Sequence, residues 1–145
     1  MESFDGKRKL IRYGMLLFLF GLLTGAAVPE LHNPRMGLSA HLEGVLAGMF
    51  LMLLGLVWNE FTLSRRVGRA LYGFFLFGSY ATWGFTLLAA VFGTSRLQPI
   101  AGAGYEGAPW QEALVGAGLV AGSVAFVFAC AAAIYGLRGA GVQDR

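Results

Sequence analysis

A histidine and a glutamate lie two residues apart where a polar loop leads into an apolar stretch. His41 and Glu43 stand at the head of this stretch, which continues to about residue 58. An imidazole nitrogen can bind a metal ion, and a carboxylate can carry a proton or bind an incoming substrate. Two structural alternatives remain: a histidine that only forms hydrogen bonds, and a glutamate in the first turn of a helix, where the helix dipole favours it.

Glycines share one predicted helix face with this histidine. Residues recur there at intervals of three or four: Gly37, His41, Gly44, Gly48, Met52 and Gly55. Gly44 and Gly48 form a GxxxG pair, which is typical of close helix packing. The same bare stripe could instead receive a flat ligand whose metal is bound by His41. The pattern favours packing, because two pairs repeat the spacing without a histidine on their segment: Gly21/Gly25 and Gly118/Gly122.

Aromatic and hydroxyl side chains further along are the remaining candidates for chemistry. Tyr80, Trp83 and Thr86 fall in the middle of the third apolar segment, and Trp110 opens the fourth. Polar side chains inside a membrane span are expensive and usually face the bundle interior. Tyr80 and Trp83 are therefore either core aromatics or walls of a substrate pocket. His32 lies in the short polar loop PELHNPR, where water can satisfy it, and is a weaker candidate.

Four apolar segments must position these residues. The chain is 57% hydrophobic and 13% charged, which is typical of a membrane protein rather than a soluble domain. A spanning helix needs about 20 mostly apolar residues. None of the segments alternates with a period of two, as the strands of a barrel would, and this favours helices. The sequence predicts an all-α, integral membrane four-helix bundle in one domain, 1–145, with spans at about 10–28, 37–58, 70–92 and 111–136.

Basic residues predict the orientation of the spans. They cluster at 7–12, at 65–69 and at the C-terminal end, whereas loops 29–36 and 93–109 hold one arginine each. The positive-inside rule then places both termini in the cytoplasm and these two loops outside. The basic start followed by an apolar run also fits a signal peptide, but we interpret it as the first span.

Three stretches resemble a known family of small bacterial membrane proteins with four spans. NPRMGLSAHLEGVLAG, YATWGFTLLAAVFGTSR and PIAGAGYEGAPWQEALV are similar to hydroxylaminobenzene mutases, and the resemblance covers residues 10–138. A more distant resemblance is to styrene oxide isomerase, which has a histidine at the head of span two and a glycine seven residues later, here His41 and Gly48. The chain departs from that pattern in its polar groups: Ala47, Gly78 and Thr86 stand where the isomerase has asparagine, aspartate and tyrosine.

The resemblance implies a cofactor and an assembly. It predicts that His41 ligates the iron of haem b, and that the haem lies between the protomers of a homotrimer in the bacterial inner membrane. Gly44, Gly48 and Trp110 are the predicted contacts of the haem. A rival to an enzyme is a small haem protein for electron transfer. Haem proteins for electron transfer usually have a second axial ligand. His32, the other histidine of the chain, is the imidazole that could provide it.

The resemblance also implies a redox-neutral rearrangement of a small aromatic substrate at a ferric haem that acts as a Lewis acid. The first prediction is a mutase that converts hydroxylaminobenzene to 2-aminophenol. The alternative is an isomerase that converts styrene oxide to phenylacetaldehyde. Glu43 is predicted to take or give the proton. Tyr80, Trp83 and Thr86 are predicted to complete the catalytic site. Both reactions need a dry pocket that shields a cation, and its predicted walls are Tyr80, Trp83, Phe85 and Trp110.

Overall fold

A computed structural model of the protein describes residues 6–138, and all its regular structure within that range is helical. The helices are α1 (Gly6–Ala27), α2 (Pro34–Leu56), α3 (Arg65–Phe92), the short α4 (Pro99–Gly102) and α5 (Pro109–Gly136). The four helices other than α4 are long and apolar enough to cross a membrane. The predicted all-α fold with four membrane spans is confirmed.

The long helices begin earlier than the apolar pattern predicted. Asn33 caps α2, because its side-chain oxygen accepts a hydrogen bond from the backbone N–H of Met36, and Pro34 occupies the first turn. Ser64 caps α3 in the same way through the N–H of Val67. Capping residues are polar and lie outside an apolar window. The hydropathy of the chain therefore placed the starts at 37 and 70, three and five residues late.

The four long helices pack in an order that leaves α1 and α5 apart. α1 packs along α2, α2 along α3, and α3 along α5, with a smaller contact between α1 and α3. Aromatic side chains connect α2, α3 and α5 where these helices meet. The ring of Phe50 lies 5.4 Å from that of Phe75 and 5.2 Å from that of Phe126, between centroids. The backbones of α2 and α5 are farther apart, so a groove remains between these two helices.

Glycines allow α1 and α2 to approach until their backbones touch. A Cβ atom added at Gly21 would lie 2.5 Å from the backbone nitrogen of Val45, and one added at Gly48 would lie 2.5 Å from that of Phe18. Real Cβ atoms essentially never come so close to backbone atoms. In a bilayer, where helices gain little from hydrophobic association, this kind of close packing holds them together. The glycine stripe of α2 is therefore a packing surface for α1.

Asn33 fastens the loop between α1 and α2 to the end of the bundle that carries α4, hereafter the α4 end. Its side-chain Nδ2 donates to the carbonyl oxygens of Gly102 at 3.0 Å and Ala101 at 3.3 Å. Its backbone N–H donates to the carbonyl oxygen of Ala90 at 2.9 Å. The side chain is fully buried, and these bonds satisfy it. One residue therefore joins α2, α3 and α4.

Candidate functional site

His41 lies in the second turn of α2 with its ring against α1. The Nδ1 atom lies 2.8 Å from the carbonyl oxygen of Gly21. A Cβ atom added at Gly25 would lie 2.5 Å from Nδ1, so the bare backbone of α1 makes room for the ring. A carbonyl oxygen can only accept, so Nδ1 carries a proton, and in the neutral ring Nε2 is the nitrogen with the lone pair. Within residues 6–138, Nε2 has no recorded hydrogen bond, and the side chain is half-buried.

This arrangement fits a histidine that binds a metal. Histidine ligands commonly donate their other ring N–H to a carbonyl or carboxylate, which fixes the tautomer and orients the ring. Across the described part of the chain, no three His, Cys, Asp or Glu side chains lie together as a ligand set. A single imidazole therefore suits a metal that brings its own ring of ligands, as haem iron does. His41 could supply the one protein nitrogen that would hold such a group.

Gly44 and Gly48 do not form an open surface in the folded chain. A Cβ atom added at Gly44 would lie 2.7 Å from the Cα of Gly21 and 2.7 Å from Cδ1 of Trp83. Gly48 lies against Phe18 of α1. The groove that a flat ligand would need along this stripe is filled by α1. Helix packing therefore explains both glycines, and their contact with a cofactor stays a prediction.

Trp83 of α3 lies against the same segment of α1 as His41. Its Nε1–H donates to Oγ1 of Thr24 at 3.3 Å, and its ring stacks on Phe20 with centroids 5.6 Å apart and planes 17° apart. Thr24 in turn donates to the carbonyl oxygen of Phe20 at 2.8 Å. The structure thus brings His41 and Trp83, two of the residues predicted from sequence, to one short stretch of α1, residues 20–25.

The other predicted residues on α3 and α5 are more dispersed. The hydroxyl of Tyr80 donates to the carbonyl oxygen of Tyr13 at 2.7 Å, which ties α3 to α1. Thr86 is fully buried, and its hydroxyl has no partner within residues 6–138. Trp110 is 62% exposed, and its ring contacts that of Phe92 edge-on with centroids 5.6 Å apart. Trp110 therefore lies on the α3–α5 side of the fold, whereas His41 contacts α1.

Glu43 faces away from His41. Successive residues of a helix are rotated by about 100°, so two residues apart they point in nearly opposite directions. His41 contacts α1, whereas Glu43 lines an open groove of about 860 Å³ between α2, α3 and α5. The helix begins at Pro34, which places Glu43 in its third turn rather than its first. The expectation that Glu43 stabilises the first turn through the helix dipole is therefore wrong.

The groove brings together polar residues that the sequence analysis did not select. Ser79 and Thr82 of α3 line it, with Gln98, which precedes α4, and Ser123 of α5. Phe50 and Phe126 form part of its wall. The sequence did contain a signal for the α3 side of the groove. Ser79, Thr82 and Thr86 recur at three- and four-residue spacing and therefore share a helix face. The contribution of α5 depends on how α3 and α5 pack, which the spacing does not reveal.

His32 occupies a separate position at the α4 end. Its exposed ring contacts Tyr105 edge-on, with centroids 5.2 Å apart, and lies against Gly93. These contacts are in the loops beside α3 and α4, whereas His41 contacts α1. Within residues 6–138, the two imidazoles therefore contact different parts of the fold, whereas a haem protein with two histidine ligands would require them in one site.

Comparisons with known proteins agree over nearly the whole chain. The family model of styrene oxide isomerase matches residues 6–138. The chain is 47% identical over 134 residues to hydroxylaminobenzene mutase HabB of Ectopseudomonas oleovorans, covering 92% of this chain and 82% of the relative. It is 38% identical over 107 residues to hydroxylaminobenzene mutase HabA of the same organism, covering 73% of this chain and 79% of that relative. No solved structure matches the chain significantly.

Proposed function

The chain belongs to the styrene oxide isomerase family and is an isomerase or mutase with four membrane spans, and from this premise we propose that it rearranges hydroxylaminobenzene to 2-aminophenol. Both named relatives are hydroxylaminobenzene mutases. Substrate and product are isomers, so the reaction needs no oxidant or reductant. The hydroxyl oxygen leaves nitrogen and joins the ortho carbon, while the proton of that carbon is lost and the nitrogen gains one.

One observation supports a haem cofactor in this proposal: the hydrogen bond from His41 Nδ1 to the carbonyl oxygen of Gly21. It leaves the Nε2 lone pair available at a half-buried position, and in the proposal Nε2 holds the iron of haem b. When bound, this group supplies a Lewis acid for the oxygen of the substrate. The hydrogen bond holds the imidazole in one orientation.

The aromatic residues beside His41 shield the reacting ring from water. Trp83 stacks on Phe20 and lies on the same stretch of α1 as His41. Loss of the hydroxyl group from nitrogen leaves positive charge on the substrate ring, and aromatic faces stabilise such charge at low cost. Tyr80 holds α3 against α1 through its bond to Tyr13, and so keeps this wall in place.

Glu43 is the proposed proton carrier, and its position implies an oligomer. The ortho carbon must lose a proton for the ring to become aromatic again, and a carboxylate can take it and return it to the amine nitrogen. Glu43 and His41 lie on opposite faces of α2. In the proposal, copies form a closed ring, a trimer by resemblance, in which His41 of one copy meets the Glu43 groove of the next.

The proposed location is the bacterial inner membrane, with both termini in the cytoplasm. The basic residues that open α1 and α3 support this orientation, because positive charge is retained on the cytoplasmic side. Reporter fusions within 60–64 should give a cytoplasmic signal, and fusions within 103–106 an external one. Reversed signals would contradict the orientation without affecting the reaction.

A second candidate reaction is the isomerisation of styrene oxide to phenylacetaldehyde, which the name of the matching family favours. Product analysis of the purified protein in lipid nanodiscs separates the two. With hydroxylaminobenzene, we expect 2-aminophenol without oxygen-18 from labelled water, because the oxygen stays within the molecule. Formation of phenylacetaldehyde from styrene oxide, with no 2-aminophenol from hydroxylaminobenzene, would contradict the proposal in favour of the second candidate.

A further inference from the structure

The groove between α2, α3 and α5 contains polar groups that no other described residue satisfies. Ser79 is fully buried, and its hydroxyl has no hydrogen-bond partner within residues 6–138; the same holds for the side-chain oxygen of Gln98. Both residues line the groove, together with Glu43. For Glu43 as well, no ion pair or hydrogen bond is recorded within that range. Buried polar groups nearly always have partners, and a carboxylate inside a span is especially costly.

These unsatisfied groups are mainly acceptors. A carboxylate accepts hydrogen bonds and donates none, an amide oxygen also accepts, and a hydroxyl can do both. A ligand that completes them must therefore bring N–H or O–H donors. Thr82 fits the same demand, because its hydroxyl proton is already donated to the carbonyl oxygens of Gly78 and Ser79 and only its lone pairs remain for a ligand.

The rest of the groove fits an aromatic ring. Phe50 and Phe126 lie with centroids 5.2 Å apart and planes tilted by 48°, and they form part of the wall. Leu46 and Val127 add aliphatic surface. Aromatic pairs at such distances are favourable, so a third ring against Phe50 or Phe126 gains both contact area and orientation. The groove is large enough for a single substituted ring.

We propose that this groove recognises an aromatic ring that carries hydrogen-bond donors, and that Glu43, Ser79 and Gln98 make the enzyme select arylhydroxylamines and aromatic amines over epoxides. Hydroxylaminobenzene offers an N–H and an O–H to these acceptors, whereas the epoxide oxygen of styrene oxide only accepts. The inference rests on the proposed function, because it assigns substrate selection in the same reaction. It explains why Glu43 occupies a membrane span although residues 6–138 provide no hydrogen-bond or ion-pair partner for it.

Binding of two unreactive probes tests this selectivity without turnover. Aniline carries an N–H donor, and anisole has a similar shape but an oxygen that only accepts. Their binding to the full chain in nanodiscs is measured by titration calorimetry and corrected with empty nanodiscs. Because a hydrogen bond to a charged group is strong, we expect aniline to bind roughly 10- to 100-fold more tightly than anisole. Equal binding of the two probes would overturn the proposal.

Two variants and a control link the preference to the groove. Glu43→Gln replaces an acceptor with an amide that also donates, so aniline should bind more weakly while anisole binds as well or better. Ser79→Ala should weaken aniline alone. Glu106→Gln lies in an exposed loop and should leave the preference unchanged. If Glu43→Gln keeps the wild-type ratio of the two affinities, the groove is not the recognition site.

The binding test can contradict the recognition groove while the product analysis supports the proposed reaction, and the reverse is also possible. A preference for aniline that depends on Glu43, in a protein that makes no 2-aminophenol, would support the groove and contradict the proposed function. Formation of 2-aminophenol by a protein with no preference between the probes would support the function and overturn the groove.

Discussion

A single carboxylate organises the long loop at the α4 end. Glu112 accepts hydrogen bonds from the backbone N–H groups of Ser95 at 3.0 Å, Gly107 at 3.2 Å and Arg96 at 3.1 Å. These donors belong to the segment between α3 and α5, which folds back on itself through α4. A carboxylate with two oxygens can satisfy all three donors, and an amide with one oxygen cannot.

Glu112→Gln should therefore loosen this loop without unfolding the bundle. Loss of a charged hydrogen bond costs about 1.5–3 kcal/mol, so we expect amide exchange at residues 95, 96 and 107 to accelerate by roughly 10- to 100-fold. Hydrogen-exchange mass spectrometry of the protein in detergent measures this. The Glu106→Gln variant provides the matched control, since that side chain is exposed. Unchanged exchange in Glu112→Gln would show that the backbone alone holds the loop.

At the residue level, the sequence predicted which residues are candidates for the site better than it predicted which groups they contact in the fold. His41 and Glu43 were both selected by residue type and position, and a helical period already places them on opposite faces. The hydrogen-bond partner of His41 is a backbone carbonyl on α1. Every residue has such a carbonyl, so no residue type in the sequence marks this one. The polar groups of the groove come from three helices and a loop, so only their packing brings them together.

The contact between α1 and α2 depends on glycine at the element level. A Cβ atom at Gly48 would lie 2.5 Å from the nitrogen of Phe18 and 2.8 Å from the carbonyl oxygen of Gly14. In contrast, a Cβ atom at Gly73 of α3 would meet nothing within 4 Å. The two glycines therefore form a matched pair, one in a close helix contact and one in open space.

Gly48→Ala should destabilise the protein, and Gly73→Ala should stabilise it slightly. Alanine favours a helix over glycine by about 1 kcal/mol at either site. At Gly48 this gain is outweighed, because α1 must move away and overpacking costs about 1–3 kcal/mol. Thermal unfolding in one detergent, followed by circular dichroism, should rank Gly73→Ala above wild type and Gly48→Ala lowest. Equal stability of the two variants would contradict backbone contact between α1 and α2.

Length and hydropathy predicted the four long helices because a membrane span leaves a strong signal in both. The short helix α4 was missed, since four residues carry no readable period. It follows Gln98 and ends at Ala103, whose φ of 51° is left-handed. The GxxxG pairs predicted close packing, but not that Gly21 and Gly25 receive His41, because that depends on the register between α1 and α2.

At the scale of the whole molecule, one chain separates the two groups that the proposed reaction needs together. His41 contacts α1 on one face of α2, and Glu43 lines the groove on the other. An interface between unlike faces generates a ring when its rotation closes. The trimer predicted from the resemblance is such a ring.

Subunit complementation tests this assembly. Chains with His41→Ala keep an intact groove, and chains with Glu43→Leu keep an intact histidine, so each homo-oligomer should be inactive. Random mixing should restore about a quarter of wild-type activity, because one interface in four then combines both intact faces. Turnover of hydroxylaminobenzene by co-expressed, co-purified chains gives the answer. Mixtures that stay inactive while containing both chains would show that each site is built within one chain.

In the proposed function, Nε2 of His41 holds a haem that the reaction requires, and an absorption spectrum tests this role most directly. The wild-type protein, supplied with haem during expression, should show a Soret band and form 2-aminophenol. His41→Ala should lose the band and the turnover while retaining the wild-type helical circular dichroism. His32→Ala is the control and should keep both. If His41→Ala retains the Soret band and the turnover, His41 only hydrogen-bonds α2 to α1, and the account of the site is wrong.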